Sequence, residues 1–465
     1  MTGLYPSLAA TAGILILAAG AGGAGGRGFL PKGARAAERV AWAFALGMLL
    51  LASYVPLAFA AGVRPGWFAF SLLCAVFVAA GRRLFPRPPE ERDGGSGRPG
   101  ISRGTGGAGP RVVEIILGLL LVVGLLLYLL RALTEPMWAA DFLAIWGWKG
   151  KTIFGAAALP AWTWQMPRLA FTHPEYPLGL PLLYSGIAFL LGRWDDHAMA
   201  LLFPALQAAT AALLAGWLRR RGATPAIALA AASALSLFEP LYRAFTTGMA
   251  EVPLSFFLLL LGTALVDALE GEPLAVRRLV LASAGLASIK NEGLFAAGAA
   301  FLLALSAAET TWRTRLRIAA GSLLPALIVV GAHRLGRGPL ALRDFDFGML
   351  ASPEITARLL LGLRTILDEA VLPAAPGLIG FAAILWAGLP SRAGRRLLAL
   401  VAIAVAAYAL LPAVCVLGPD WLARTAFART ASALAPLAAA GAAMRLSPLF
   451  APSGESNESS ASPGG

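Results

Sequence analysis

The chain has 465 residues, of which 58% are hydrophobic and only 14% are charged, and its formal net charge is +13 at pH 7. Repeated apolar stretches long enough to cross a bilayer exclude a soluble globular protein and predict an all-α polytopic membrane protein. The positive charge falls in short arginine-rich links between these stretches, as in cytoplasmic loops of membrane proteins. We therefore expect the chain to interact with the lipid bilayer and not with nucleic acid.

The apolar stretches predict about 13 membrane spans, or 14 if one short stretch is counted. Residues 1–86 would form N-terminal transmembrane helices, and the first of these lacks the features of a cleaved signal peptide. The Pro- and Gly-rich residues 87–111 are typical of a flexible cytoplasmic linker. Residues 112–447 would form the main transmembrane domain, and residues 448–465 a disordered tail.

The arginine-rich links predict which loops face the cytoplasm. They are residues 27–39, 82–111, 219–221, 277–278, 313–317 and 392–396. The outer side would then carry residues 134–175, 246–251, 290–292, 336–372 and 418–428. This alternation holds only if Leu178–Leu191 does not cross the membrane. Its 14 residues reach about 21 Å, against about 30 Å of hydrocarbon, so we expect a short or re-entrant segment.

The first large outer loop begins with residues spaced three and four apart, namely Trp138, Phe142, Ile145, Trp146, Lys149 and Ile153. This spacing predicts an amphipathic helix at the outer membrane surface, with its tryptophans at the level of the lipid headgroups. Asp141 lies near the start of this helix. Its carboxylate either stabilises the helix dipole or acts as a catalytic base toward an acceptor hydroxyl.

The same loop ends in His173-Pro174-Glu175-Tyr176-Pro177, just before the chain returns to apolar sequence. The two prolines fix the backbone, which suits a preorganised site that includes His173, Glu175 and Tyr176. Alternatively, the prolines only start the next helix and Glu175 caps it.

Further polar groups lie at the predicted outer ends of later spans. Glu251 is either a first-turn glutamate or a functional acid. Lys290, Asn291 and Glu292 follow a short apolar run, so they should lie below the membrane surface, where ionisable groups are functional by default. The alternative is that Lys290 and Glu292 only neutralise each other.

Arg424 and Arg429 flank the outer start of the last span. An arginine there either binds a lipid phosphate or extends its side chain to the membrane surface. Asp195-Asp196-His197 has metal-binding residue types, but adjacent acids point in different directions, and the chain's histidines lack zinc-ligand spacing. We therefore expect no metal site and no cofactor.

In their order along the chain, these residues resemble the GT-C superfamily of integral-membrane glycosyltransferases, in particular relatives of protein O-mannosyltransferases and of the lipid A aminoarabinose transferase. The resemblance covers roughly residues 112–440. It is carried by Asp141 with Trp146 and Lys149, by residues 173–177, by Gly248 to Pro253, by Lys290 to Gly293, and by Arg429 with Pro436. It implies a GT-C-like bundle of about 13 helices, with amphipathic helices in the first large outer loop.

The resemblance also implies a function. A sugar would pass from a polyprenyl-phosphate donor to an extracytoplasmic lipid, glycan or protein acceptor, with inversion at the anomeric carbon, in a bacterial inner membrane. Asp141 and Glu251 would be the catalytic acids, with Asp141 as base or acceptor guide. Lys290 and Arg429 would hold the lipid phosphate. The other substrate-binding residues would be Trp146, Lys149, His173, Glu175, Tyr176, Asn291 and Glu292.

Two other functions fit parts of the sequence. A transporter or flippase of lipid-linked sugars would line its path with ionisable residues, although many transporters have two matching halves, which are missing here. An O-antigen ligase or polymerase would have a dominant charged outer loop. Residues 336–372 offer one, with Arg343, Asp344, Asp346, Glu354, Arg358 and Arg364.

Overall fold

The computed structural model describes residues 4–31, 33–84, 108–160, 172–245, 248–335, 345–388 and 391–450. These residues are 83% helical and contain no β-strand, which confirms an all-α polytopic membrane protein. Most of the predicted linker 87–111 and the tail beyond residue 450 lie outside the described residues, as do Arg343 and Asp344.

The described architecture is built from helices joined by loops and turns. In the first half of the chain they are α1 (Leu4–Gly25), α2 (Ala36–Ala60), α3 (Trp67–Leu84), α4 (Ala108–Thr134), α5 (Gly147–Ala156), α6 (Gly179–Leu191), α7 (Asp196–Met199), α8 (Leu202–Arg220), α9 (Pro225–Ser236) and α10 (Glu239–Phe245). In the second half they are α11 (Glu251–Leu269), α12 (Ala275–Ile289), α13 (Glu292–Ser306), α14 (Trp312–Leu335), α15 (Ile355–Ile366), α16 (Leu372–Ala387), α17 (Arg392–Leu410), α18 (Pro419–Leu422), α19 (Ala428–Ser432) and α20 (Ala435–Leu446). Short 3₁₀ or π turns extend several of them, including Phe142–Trp146 before α5 and Ala423–Phe427 between α18 and α19.

Among the described residues, eight helical segments are long and apolar enough to cross a membrane. A ninth span would be the last pair, Pro419–Ser432 and Ala435–Phe450, which meet at a bend of 46°. The exact count of about 13 spans stays a prediction. Segment Ile355–Ala387 leaves large apolar side chains such as Ile379 and Trp386 exposed. Such a surface suits contact with lipid, because soluble proteins rarely expose the apolar side chains of a 33-residue segment.

One end of the helix bundle is held by a group of buried ion pairs that we name the arginine cluster, comprising Glu38, Arg220, Arg221, Asp267, Glu270, Glu272 and Arg278. Arg220 binds both carboxylate oxygens of Glu38 at 2.9 Å and Asp267 at 2.8 Å. Arg278 is fully buried, contacts Asp267 at 3.2 Å and donates to the Phe29 carbonyl. These contacts join α2, α8, α11 and α12. Links from three of the predicted cytoplasmic loops therefore meet at one end, while its orientation in a membrane stays a prediction.

The short helix α6 begins and ends at the opposite end of the bundle. A Cβ on Gly179 at its start would lie 2.4 Å from the Ser288 carbonyl oxygen, next to Lys290. Arg193, just after its end, donates to Ser7 in the first turn of α1, and α1 then runs toward the arginine cluster. The 13 residues of α6 reach only about 20 Å. Because both ends of α6 lie at one end of the bundle, the helix does not cross it. The predicted alternation of cytoplasmic and outer loops requires this placement.

The arginine cluster should make stability depend on pH through Glu272. Burial, followed by the charge and hydrogen bond of Asp267, raises the pKa of Glu272 to about 7. Because the folded protein keeps this proton where the unfolded chain has lost it, stability falls as the pH rises from about 4.5 to above 7. We expect the melting temperature of Glu272→Gln to rise relative to that of the wild type as the pH increases across this range. Thermal unfolding in detergent between pH 5 and 8 checks this, with the exposed Glu309→Gln as control. A constant difference between Glu272→Gln and the wild type would contradict it.

Candidate functional site

At the end of the bundle away from the arginine cluster, distant parts of the chain bring five charged side chains together. We name them the charge network, consisting of Asp141, Glu251, Lys290, Glu292 and Arg429. They come from the turn before α5, the first turn of α11, the junction of α12 with α13, and the start of α19. When all five are ionised the network carries one net negative charge, since three carboxylates face two cations.

Glu251 lies at the centre of the charge network and is only 1% exposed. One of its oxygens, Oε1, accepts a hydrogen bond from Lys290 Nζ at 3.2 Å and forms an ion pair with Arg429 Nε at 3.0 Å. Lys290 is 3% exposed and also binds Glu292 at 2.8 Å. Lys290 therefore lies between two carboxylates, and the simple pairing with Glu292 that the sequence left open is only part of its environment.

Arg429 links the buried part of the network to its outer part. Its Nε binds Glu251, while its Nη1 binds Asp141 Oδ2 at 2.9 Å. The side chains of Asp141 and Arg429 are 26% and 27% exposed. Asp141 makes no side-chain capping bond to the turn that follows it. Its described contact is thus to the last span and not to its own helix.

Local backbone structure explains why Glu251 and Lys290 face each other. Gly248 adopts φ +75°, and a Cβ there would lie 2.9 Å from Met137 Sδ and 3.0 Å from Phe142, so this turn requires glycine. It delivers Glu251 into the first turn of α11. At Lys290 the backbone is extended between α12 and α13, which turns the ammonium back toward Glu251.

Three stacked rings form a wall beside the charge network. Tyr176 lies parallel to Trp146, with ring centroids 5.3 Å apart, and His173 stacks on Tyr176 at 5.1 Å. Lys149 is buried, lies 5.9 Å from the Trp146 ring centroid and donates to the His173 carbonyl at 2.6 Å. These contacts fix residues 173–177 against α5, because stacking and charge-assisted hydrogen bonds act on the same short segment.

The wall is joined to the charge network through Asn291. Asn291 Nδ2 donates to the Glu175 carbonyl at 3.4 Å, and the Glu175 side chain lies 3.1 Å from His173 Nδ1. Helix α6 begins without a side-chain cap, so Glu175 is not its cap. His173 adopts φ +48°, a left-handed conformation that costs about 1–2 kcal/mol for a non-glycine residue. All eleven predicted site residues therefore lie in one connected region.

A small, mostly apolar cavity of about 20 Å³ lies beside Glu292 and Thr430. Its wall includes Phe345, Tyr408 and Phe427. Tyr408 donates to the Glu292 backbone carbonyl at 3.2 Å, and Thr430 lies 3.4 Å from Lys290 Nζ. The sequence did not single out Tyr408 or Thr430, because a tyrosine and a threonine inside apolar runs give no signal that separates binding from packing.

Two polar groups from the sequence lie outside this region. Arg424 is 60% exposed and pairs with Glu369 at 3.6 Å. Asp195 accepts from the Ala198 backbone N–H at 3.0 Å and caps α7. Asp196 accepts instead from the Trp194 indole. These two acids thus have local structural partners, and no grouping of three metal-ligating side chains occurs within the described residues.

No protein-family model, curated protein or solved structure matches this chain. The resemblance to GT-C glycosyltransferases and the roles of the site residues therefore stay predictions, whereas the proximity of these residues is a property of the structure.

The charge network predicts that Lys290 is important for stability. In Lys290→Met, Glu292 loses its cation while it stays buried, and we expect a loss of about 3 kcal/mol. Adding Glu292→Gln should recover part of the loss by removing the unpaired charge. Thermal unfolding in detergent measures both variants. Arg424→Met is the control and should change stability by less than about 0.5 kcal/mol, because its pair is exposed. Equal shifts in Lys290→Met and Arg424→Met would contradict the expectation.

Proposed function

We propose that this protein is a membrane glycosyltransferase of GT-C type that moves a sugar from a polyprenyl-phosphate donor to an acceptor outside the cytoplasm, with inversion. Its home would be a bacterial inner membrane. The observation that carries the proposal is the charge network itself. Two cations and three carboxylates from distant segments meet at one end of a lipid-exposed helix bundle.

The cations suit a lipid-linked phosphate. As the glycosidic bond breaks, negative charge grows on the departing phosphate, and fixed cations stabilise that charge in the transition state. Arg429 presents a planar guanidinium that matches phosphate geometry. Lys290 adds a buried ammonium. Both cations contact the same Glu251 oxygen, Oε1, which lies 3.0 Å from Arg429 Nε and 3.2 Å from Lys290 Nζ.

The carboxylates suit the sugar and the acceptor. Asp141 is the outermost acid of the network and the most exposed one, so it is the acid that an entering hydroxyl reaches. Glu251 and Glu292 each keep one buried oxygen, Oε2, with no hydrogen-bond donor among the described residues. A buried acceptor without a donor costs about 1–3 kcal/mol, and hydroxyl groups of a bound sugar would remove that cost.

The proposed reaction is a single displacement. Asp141 takes the proton of the acceptor hydroxyl while its oxygen forms a bond to the anomeric carbon. The bond from that carbon to the phosphate oxygen breaks, and its electron pair stays on the polyprenyl phosphate. Asp141 thus loses one negative charge as the phosphate gains one, so the net charge of the site is unchanged. The ring wall of Trp146, Tyr176 and His173 would hold the substrates in position.

The proposal predicts that Asp141→Asn abolishes transfer without unfolding the protein, since the two side chains are close in shape. A general base contributes roughly 10²- to 10⁴-fold, so the rate should fall at least about 100-fold. The measurement is transfer of labelled sugar from a panel of polyprenyl-phosphate donors by purified protein, with Asp420→Asn as the charge-matched control. Wild-type rates in Asp141→Asn would refute the base. Lipid translocation in liposomes without any transfer would favour the transporter instead.

A second prediction concerns the phosphate. Lys290→Ala should weaken donor binding, whereas Asp141→Asn should not, because only the lysine is a cation, and Lys290→Arg should keep more of the affinity. Equilibrium binding of the donor to folded, monodisperse samples measures this. Equal affinity in Lys290→Ala and the wild type would rule out a phosphate role for Lys290.

A further inference from the structure

The ion pair between Asp141 and Arg429 is unlike the other contacts of the charge network. Glu251 and Lys290 are 1% and 3% exposed, whereas the side chains of Asp141 and Arg429 are 26% and 27% exposed. Moving a buried carboxylate off its cations leaves uncompensated charge away from water, which is strongly unfavourable. A partly exposed pair contributes much less to stability, so it is the contact most easily exchanged.

Arg429 has two contacts besides its ion pair with Asp141. Its Nε lies 3.0 Å from Glu251 Oε1, and its Nη1 lies 3.2 Å from Met249 Sδ. Only the Nη1 edge facing Asp141 has to change partner. The guanidinium is therefore held in place by a buried acid while its outer edge can accept a different oxygen anion in the same geometry.

We propose that Asp141 and the phosphate of a polyprenyl-phosphate substrate compete for the outer edge of Arg429, so that phosphate binding releases Asp141. This proposal rests on the substrate class of the proposed function, although it does not require sugar transfer. Asp141 is then a specificity-determining residue, because its carboxylate excludes anions that bind Arg429 less strongly than it does.

The exchange orders the reaction. While Oδ2 of Asp141 is bound to Arg429, that oxygen does not meet an acceptor hydroxyl. Once phosphate occupies the guanidinium, both carboxylate oxygens can turn to the acceptor. Asp141 therefore becomes available as a base only when the donor is in place. Without a donor, the acceptor hydroxyl is not deprotonated. The extent of this exchange depends on the difference between the affinity of the phosphate for Arg429 and that of the Asp141 carboxylate.

Binding of polyprenyl phosphate without a sugar tests the competition. Removing the Asp141 charge should tighten binding, which is the opposite of what loss of a substrate-binding residue does. We expect Asp141→Asn to bind polyprenyl phosphate about three- to tenfold more tightly than the wild type, since one partly exposed charge-assisted contact no longer competes. Uncharged polyprenol should bind both proteins equally. The control Asp420→Asn removes the same charge from the segment that carries Arg429, and its affinity should stay within about twofold of the wild type.

A double-mutant cycle with Arg429 shows whether the effect runs through the guanidinium. In Arg429→Gln, the further change Asp141→Asn should no longer tighten binding, because the contested cation is gone. Tightening of the same size in that background would overturn the proposal. If Arg429→Gln does not fold, the comparison of Asp141→Asn with Asp420→Asn still decides: equal affinities in these two variants, or weaker binding in Asp141→Asn, overturn it.

Two further outcomes separate the ligand source and the proposed function. Inorganic phosphate that competes as strongly as polyprenyl phosphate would overturn the lipid part of the proposal. Tighter lipid-phosphate binding in Asp141→Asn, with no sugar transfer by the wild type, would support the exchange and refute the glycosyltransferase. Transfer that depends on Asp141, with unchanged lipid-phosphate affinity in Asp141→Asn, would refute only the exchange.

Discussion

The two contacts of Glu251 Oε1, with Lys290 and with Arg429, are the interaction on which the site end of the protein depends. A carboxylate buried this deeply needs compensating cations, because the charged form loses its hydration. The chain supplies them from the α12–α13 junction and from the start of α19. These three elements are far apart in sequence, so satisfying Glu251 fixes how α11, α12 and the last span meet. Asp141 and Glu292 then attach to the same cations.

The sequence predicted the parts of this site but not their pairing. Asp141, residues 173–177 and Lys290 could be found because polar groups beside apolar runs are costly and need a reason. The partner of Asp141 could not be found, since Arg429 lies 288 residues further along and only helix packing brings the two together. The same limit applies to Tyr408 and Thr430. Likewise, the short length of Leu178–Leu191 was readable from the chain, whereas its position beside Ser288 and Ser7 was not.

The arginine cluster shows where the sequence reasoning was incomplete. Glu38 and Asp267 are buried acids at the ends of apolar helices, so the principle that pointed to Lys290 should have pointed to them. The two clusters differ in how fully their carboxylates are paired. Asp267 receives contacts from Arg220, Arg221 and Arg278, and both oxygens of Glu38 accept from one guanidinium. Carboxylates paired in this way are typical of a structural clamp that fixes which helices pack together, although Nε of Arg221 and Nε of Arg278 have no hydrogen-bond acceptor among the described residues.

The carboxylates of the charge network are less completely paired, and the environment of the network is divided into a rigid part and an adaptable part. Glu251 and Glu292 each keep one oxygen without a donor among the described residues. The ring wall is rigid, because two prolines, two ring stacks and the Lys149 hydrogen bond all act on residues 173–177. By contrast, the outer contact of Arg429 with Asp141 is partly exposed, and we propose that it is exchangeable. A binding site needs both properties, since the rigid part positions a substrate while the adaptable part gives up a contact to it. A structural clamp needs only the first, and this difference is the physical ground for proposing a binding site at one end of the bundle and a structural role alone at the other.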